Sequence, residues 1–106
     1  MPYIFAKVIY PPHKIDEVVK KVIEITSKYP PDPSLGELIV NASRMTEEGI
    51  VSQFIYQVKE GKFIEASNRM GRVISEFRTI EGIRYSIENW ATAIEAYATI
   101  GMTPPE

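Results

Sequence analysis

The residues of this chain most able to do chemistry are a few polar side chains set into apolar segments. Lys7 interrupts an apolar run over residues 3–10, and Gln53 lies inside a second run over residues 50–59. A lysine in such a place can line a ligand cavity as a cation, or it can lay its apolar stem along the surface and keep its amine in water. Both interpretations stay open, and the surface role is the commoner one.

Gln53, Tyr56 and Glu88 complete the set of candidate ligand-binding residues. Gln53 and Glu88 alternate with their neighbours as the residues on one side of a strand do. Together with Lys7 they would supply the few convergent polar groups of a small-molecule site, although a solvated face or a set of ion pairs between subunits is an open alternative. Tyr56 offers a ring for stacking, but a tyrosine of this kind is more often part of a core or an interface.

Other catalytic and cofactor signatures are incomplete. The chain has no cysteine, which excludes a disulfide, a thiolate metal site and a cysteine nucleophile. His13 is the only histidine, and it follows two prolines at a predicted helix start, where a surface role is expected. The glycines are scattered singly, so no loop is built to hold a phosphate. The sequence therefore predicts no metal, no cofactor and no assignable catalytic residue.

Composition and charge narrow the class of partner. With 106 residues, 44% of them hydrophobic and 25% charged, the chain is expected to form one domain with a single core. The formal net charge is −2 and no run of one sign is long, so neither nucleic acid nor an anionic membrane is favoured as a partner. No apolar segment approaches the ~20 residues of a membrane-spanning helix, and the first residues lack the pattern of a signal peptide. We expect a cytoplasmic protein.

Hydrophobic spacing predicts the elements that position these side chains. Alternating or continuous apolar runs predict four strands, over residues 3–10, 37–45, 50–59 and 83–91. Apolar residues at three- and four-residue spacing predict helices over residues 15–29 and 63–77. Gly49 lies in the short segment between the second and third strands, which indicates a hairpin.

A short terminal helix is predicted after the last strand. Thr92 and Glu95 fit a capping box, and Gly101 fits a left-handed helix stop. Ile94, Tyr97 and Ala98 are then expected on the buried side of this helix. The domain is predicted to cover residues 1–102, followed by a loose tail over residues 103–106.

The order strand, helix, strand, strand, helix, strand predicts an α+β, ferredoxin-like domain. Two right-handed crossovers joined by a hairpin place both helices on one face of a four-stranded antiparallel sheet. The first strand is apolar on both sides, with Ile4, Ala6 and Val8 on one and Tyr3, Phe5 and Ile9 on the other. Soluble monomers rarely expose so large an apolar face. We therefore expect a sheet-to-sheet homodimer or a higher homo-oligomer.

This element order and the doubly apolar strands, over residues 3–12, 50–61 and 81–101, resemble the dimeric α/β-barrel group of ferredoxin-like proteins, particularly its small archaeal members. The resemblance covers nearly the whole chain and lies in pattern rather than in a catalytic motif. It implies two sheets closed face to face into a barrel whose interior holds a substrate, a haem or only side chains. The group includes monooxygenases, isomerases and proteins without known activity.

Three functional classes follow. The first is a homo-oligomeric module that binds a small molecule in a barrel formed by two sheets. The second is a cofactor-free enzyme of the monooxygenase or isomerase type, for which only Lys7 or Glu88 could serve as the acid or base. The third is an RNA-binding sheet, since the first and third strands carry aromatic residues, but the acidic balance of the chain ranks it last.

Overall fold

The elements follow the predicted order. A computed structural model describes residues 1–105, and Glu106, the last residue of the predicted tail, lies outside the described residues. In chain order the elements are β1 (Tyr3–Tyr10), α1 (Ile15–Lys28), β2 (Gly36–Thr46), β3 (Gly49–Val58), α2 (Phe63–Ser75), β4 (Arg84–Trp90) and α3 (Ala93–Ala98). Short 3-10 turns precede α1 at Pro12–Lys14 and follow α2 at Glu76–Thr79. Each predicted helix and strand is therefore confirmed.

The four strands form one sheet in the order β2-β3-β1-β4, with β1 antiparallel to both of its neighbours. This arrangement is the predicted α+β, ferredoxin-like one. The register places Lys7 opposite Gln53 on β3 and opposite Ser86 on β4. The centre of the sheet is therefore built around β1, which is the strand that carries the most prominent candidate residue.

The core lies between one face of the sheet and helices α1 and α2. In β1 the residues Ile4, Ala6 and Val8 are at most 1% exposed, and they pack with Val58 of β3 and Ile74 of α2 in two adjoining clusters. Because side chains alternate along a strand, the odd-numbered residues of β1 point to the opposite face. We call that opposite face, which neither α1 nor α2 covers, the open face.

The terminal helix buries less than its sequence predicted. Its capping box is present, but Ile94 is 70% exposed and Ala98 is also exposed, while Tyr97 is only half-buried. The prediction of a buried side formed by these residues was wrong. The local hydrogen bonds of the cap define the helix, whereas burial needs a surface beneath it, and the described part of the chain does not bring one against Ile94.

Candidate functional site

Three of the four predicted site residues lie together on the open face. Lys7 faces Gln53 directly across the β1–β3 ladder. Glu88 lies opposite Phe5 on β4, which places it one diagonal step from Lys7 on the same face. Lys7 and Glu88 are exposed, and Gln53 is half-buried. The sheet therefore assembles a cation, an amide and a carboxylate from three separate strands.

Tyr56 does not join this group. It lies opposite Ile4, on the face covered by the helices, and packs against the cluster that contains Val58 and Ala66. Burial of the ring raises the pKa of its phenol above the usual value. The strand segment at Gly36 approaches so closely that a Cβ there would lie 2.7 Å from the ring atom Cε1 of Tyr56. Tyr56 is thus a packing residue of the core side.

A concavity of about 490 Å³ opens on the open face at the three assembled residues. Apolar walls come from Phe5, Ile9 and Val51, and polar walls from Lys7, Gln53, Glu88, Arg44 and the turn residues Thr46, Glu47 and Glu48. Arg44 and the two turn glutamates were not among the candidate residues predicted from the sequence. The signal that could have found Arg44 is the β2–β3 pairing, because Arg44 stands opposite Val51 and shares the face of Gln53.

The β2–β3 turn closes one end of this concavity. The hydroxyl of Thr46 donates a hydrogen bond to the Gly49 carbonyl oxygen at 2.8 Å, which tightens the turn. Gly49 has a φ of 135°, and a side chain there would collide with the carbonyl oxygen of Tyr10. The guanidinium of Arg84 at the start of β4 pairs with the Glu48 carboxylate at 3.2 Å. The turn is therefore placed across the end of β1 and linked to β4.

The charges of the concavity are only partly compensated. Arg84 pairs with Glu48, but neither Lys7 nor Glu88 has an ion-pair partner within 4.0 Å among residues 1–105. A lysine can donate up to three hydrogen bonds, a carboxylate accepts them and an amide does both. The site can therefore offer a bound molecule donors and acceptors at the same time.

An aromatic cluster marks the other end of the open face. The Phe5 and Trp90 rings stack with centroids 5.1 Å apart, and Tyr3 meets Phe5 edge-on at 6.4 Å. The aromatic residues of β3 are Phe54 and Tyr56, and both lie opposite residues of β1 that face the helices. An RNA-binding sheet would need stacking residues from β3 on its open face, so that hypothesis keeps the aromatic residues of β1 and loses those of β3.

His13 lies in the turn before α1 and is exposed, as expected. Over residues 1–105 no three His, Cys, Asp or Glu side chains come together in a group that could hold a metal ion. Within the same residues, no helix has the length and apolarity needed to cross a membrane.

No protein-family model and no curated protein matches this sequence. Among solved structures, a formyltetrahydrofolate deformylase from Pseudomonas putida is similar over 83% of this chain, with 7% identity and a TM-score of 0.48. The chain spans only 28% of that protein's length. A protein from Thermus thermophilus, described as PII-like in signalling, is similar over 92% of this chain and 96% of its own, with 14% identity and a TM-score of 0.41. These similarities are too distant to carry a function to this chain.

Proposed function

We propose that this chain is a homo-oligomeric, ferredoxin-like domain that binds a small molecule on the open face of its sheet. The observation that carries the proposal is the concavity of about 490 Å³ at which Lys7, Gln53 and Glu88 meet. Small-molecule sites commonly have volumes of roughly 300–1,000 Å³, with apolar walls and a few convergent polar groups. The concavity has a volume in this range, and its lining combines three apolar residues with a larger set of polar and charged ones.

The polar groups support a ligand class. Lys7 can donate to an anionic or carbonyl oxygen, Gln53 can donate and accept, and Glu88 can accept from an ammonium or hydroxyl group. Phe5 and Ile9 supply apolar contact beside them. A small molecule that carries polar groups of both kinds on an apolar body fits this arrangement best.

A second copy packed over the open face would complete the site. Tyr3, Phe5, Ile9, Val51 and Ile55 are half-buried there, and neither α1 nor α2 covers them. A facing sheet would remove this apolar surface from water and would enclose Lys7 and Glu88, which strengthens their interaction with a ligand. A cofactor-free enzyme would use the same residues, and that alternative stays a prediction.

Native mass spectrometry of the purified protein tests the proposal, because it reports subunit number and bound molecules together. We expect a species larger than the 12.0 kDa chain that carries an additional small mass. Lys7→Met keeps the apolar stem and removes the charge, so the assembly should persist and the additional mass should be lost. Lys20→Met is the matched control, since Lys20 is an exposed residue of α1 away from the sheet. Where nothing co-purifies, fluorescence of anilinonaphthalene sulfonate, an aromatic anion, serves as the probe for the same variants.

Two results would count against the proposal. If the wild-type protein were only a 12.0 kDa monomer at micromolar concentration, no second copy would be present to cover the open face. A Lys7→Met variant that dissociates into monomers yet keeps the bound mass would show that Lys7 pairs between subunits and does not contact the ligand.

A further inference from the structure

The outer edge of β2 is a long, unpaired strand edge. β2 is the terminal strand of the sheet and spans Gly36–Thr46, whereas most strands have about 5–6 residues. Its residues 37–45 are all exposed, including the apolar run Leu38, Ile39 and Val40 at 46%, 44% and 38%. Because the unpaired N–H and C=O groups of such an edge can bind another strand, natural proteins usually blunt it with lysine, proline or a bulge. β2 has no lysine or proline, and its only such device is a bulge between Leu38 and Val40.

The charges of β2 are arranged symmetrically about Asn41. Glu37 and Arg44 are its only charged residues, and they lie opposite Gln57 and Val51 of β3. Asn41 lies opposite Phe54, halfway between those two positions. The bulge brings Glu37 and Arg44, which are an odd number of residues apart, onto the same face of the sheet. When two copies are related by a two-fold axis through Asn41, Glu37 of each copy therefore lies opposite Arg44 of the other copy.

We propose that two copies of this chain pair antiparallel through their β2 edges, centred on Asn41, into one continuous eight-stranded sheet. A second copy fits this edge better than an unrelated peptide because the charge pattern complements itself. Neither Glu37 nor Arg44 has an ion-pair partner within 4.0 Å in residues 1–105, so both are free to pair across the new interface. The pairing uses the edge and leaves the open face available, so it does not depend on the proposed function.

The pairing also reaches the candidate site. Arg44 forms part of the wall of the concavity. Glu37 of the second copy would lie against that arginine and would compensate its charge. The edge interface would therefore add a residue of the neighbouring copy to the border of the site.

A charge swap tests the pairing. Glu37→Arg and Arg44→Glu each place like charges opposite one another twice, and the double variant Glu37→Arg/Arg44→Glu restores both pairs in reverse. Cross-strand charge pairs contribute modest free energies, so we expect each single variant to weaken self-association by about tenfold and the double variant to return it to about the wild-type value. Sedimentation equilibrium over a concentration series measures this. Within one chain the two residues are roughly 20 Å apart along the strand, so rescue has to come from another copy.

Glu60→Arg is the control for a charge reversal of equal size, since Glu60 is exposed in the loop after β3. It should leave association unchanged. A double variant that associates as weakly as the single variants, or single variants that associate like the wild type, would overturn the pairing. Hydrogen exchange of the β2 amides in the wild-type protein gives a test that needs no variant. If this exchange does not slow as the protein concentration rises, the pairing is overturned. Failure here leaves the Lys7→Met result unaffected, which keeps the edge and open-face proposals distinguishable.

Discussion

Replacing Thr92 by alanine should loosen α3 without unfolding the rest of the domain. The Thr92 hydroxyl accepts a hydrogen bond from the Glu95 backbone N–H at 3.1 Å, and the Glu95 carboxylate accepts one from the Thr92 backbone N–H at 2.8 Å. Removing a cap of this kind costs about 1 kcal/mol. Helices shorter than ~12–15 residues are marginal in water, and α3 spans only Ala93–Ala98. With Ile94 70% exposed, packing contributes little that could compensate for a lost cap.

Hydrogen exchange of the α3 amides can measure this loss of stability. A change of about 1 kcal/mol shifts the opening equilibrium of α3 roughly fivefold, so its protected amides should exchange about five times faster in Thr92→Ala. Thr99→Ala is the matched control: its hydroxyl donates to the Ala96 carbonyl at the end of the helix and caps no N–H at the start. Equal exchange in α3 for Thr92→Ala and the wild type would refute the reasoning, and so would an effect of the same size in Thr99→Ala.

Two further predictions concern acid sensitivity and the core. The hydrogen bond from the Thr92 N–H holds the pKa of the Glu95 carboxyl below its usual value. The carboxylate therefore stabilises α3 fully above the unfolded glutamate pKa of about 4.3, and this stabilisation is lost as the pH falls through the lower folded pKa. The amide chemical shifts of α3 in an NMR pH titration should follow this loss, and Glu95→Gln should abolish the pH dependence. Ile74→Ala should lower the free energy of unfolding by about 2–5 kcal/mol because Ile74 is 1% exposed, whereas Ile64→Ala, at 75% exposed, should change it by less than about 0.5 kcal/mol. Urea unfolding measures both, and similar losses would contradict the assigned core.

Much of the candidate site was predictable from strand alternation. Lys7, Gln53 and Glu88 each stand at a position whose parity places it on the open face, and the register confirms that they share it. The same rule argues against Tyr56, which is three residues from Gln53 and so falls on the opposite side of β3. Its inclusion followed from its residue type rather than from its position.

Arg44 and the turn glutamates could not be placed from the sequence. The bulge between Leu38 and Val40 changes which residues of β2 share a face, and nothing in the local sequence locates that bulge. The approach of Glu48 to Arg84 depends on two segments that are 36 residues apart in the chain. Such proximity is set by how the hairpin lies across the end of β1.

The sequence by itself determined the element order, the antiparallel ferredoxin-like sheet, the two apolar sides of β1 and the capping box of α3. These features depend on local propensity, spacing and alternation, which operate over a few residues. Only the tertiary structure decided which side of β1 the helices cover, where β2 changes parity, and that Ile94 finds no surface to pack against among residues 1–105. Those outcomes depend on contacts between segments distant in the chain, where the packing of α1, α2 and the β2–β3 hairpin leaves one sheet face and the outer edge of β2 open.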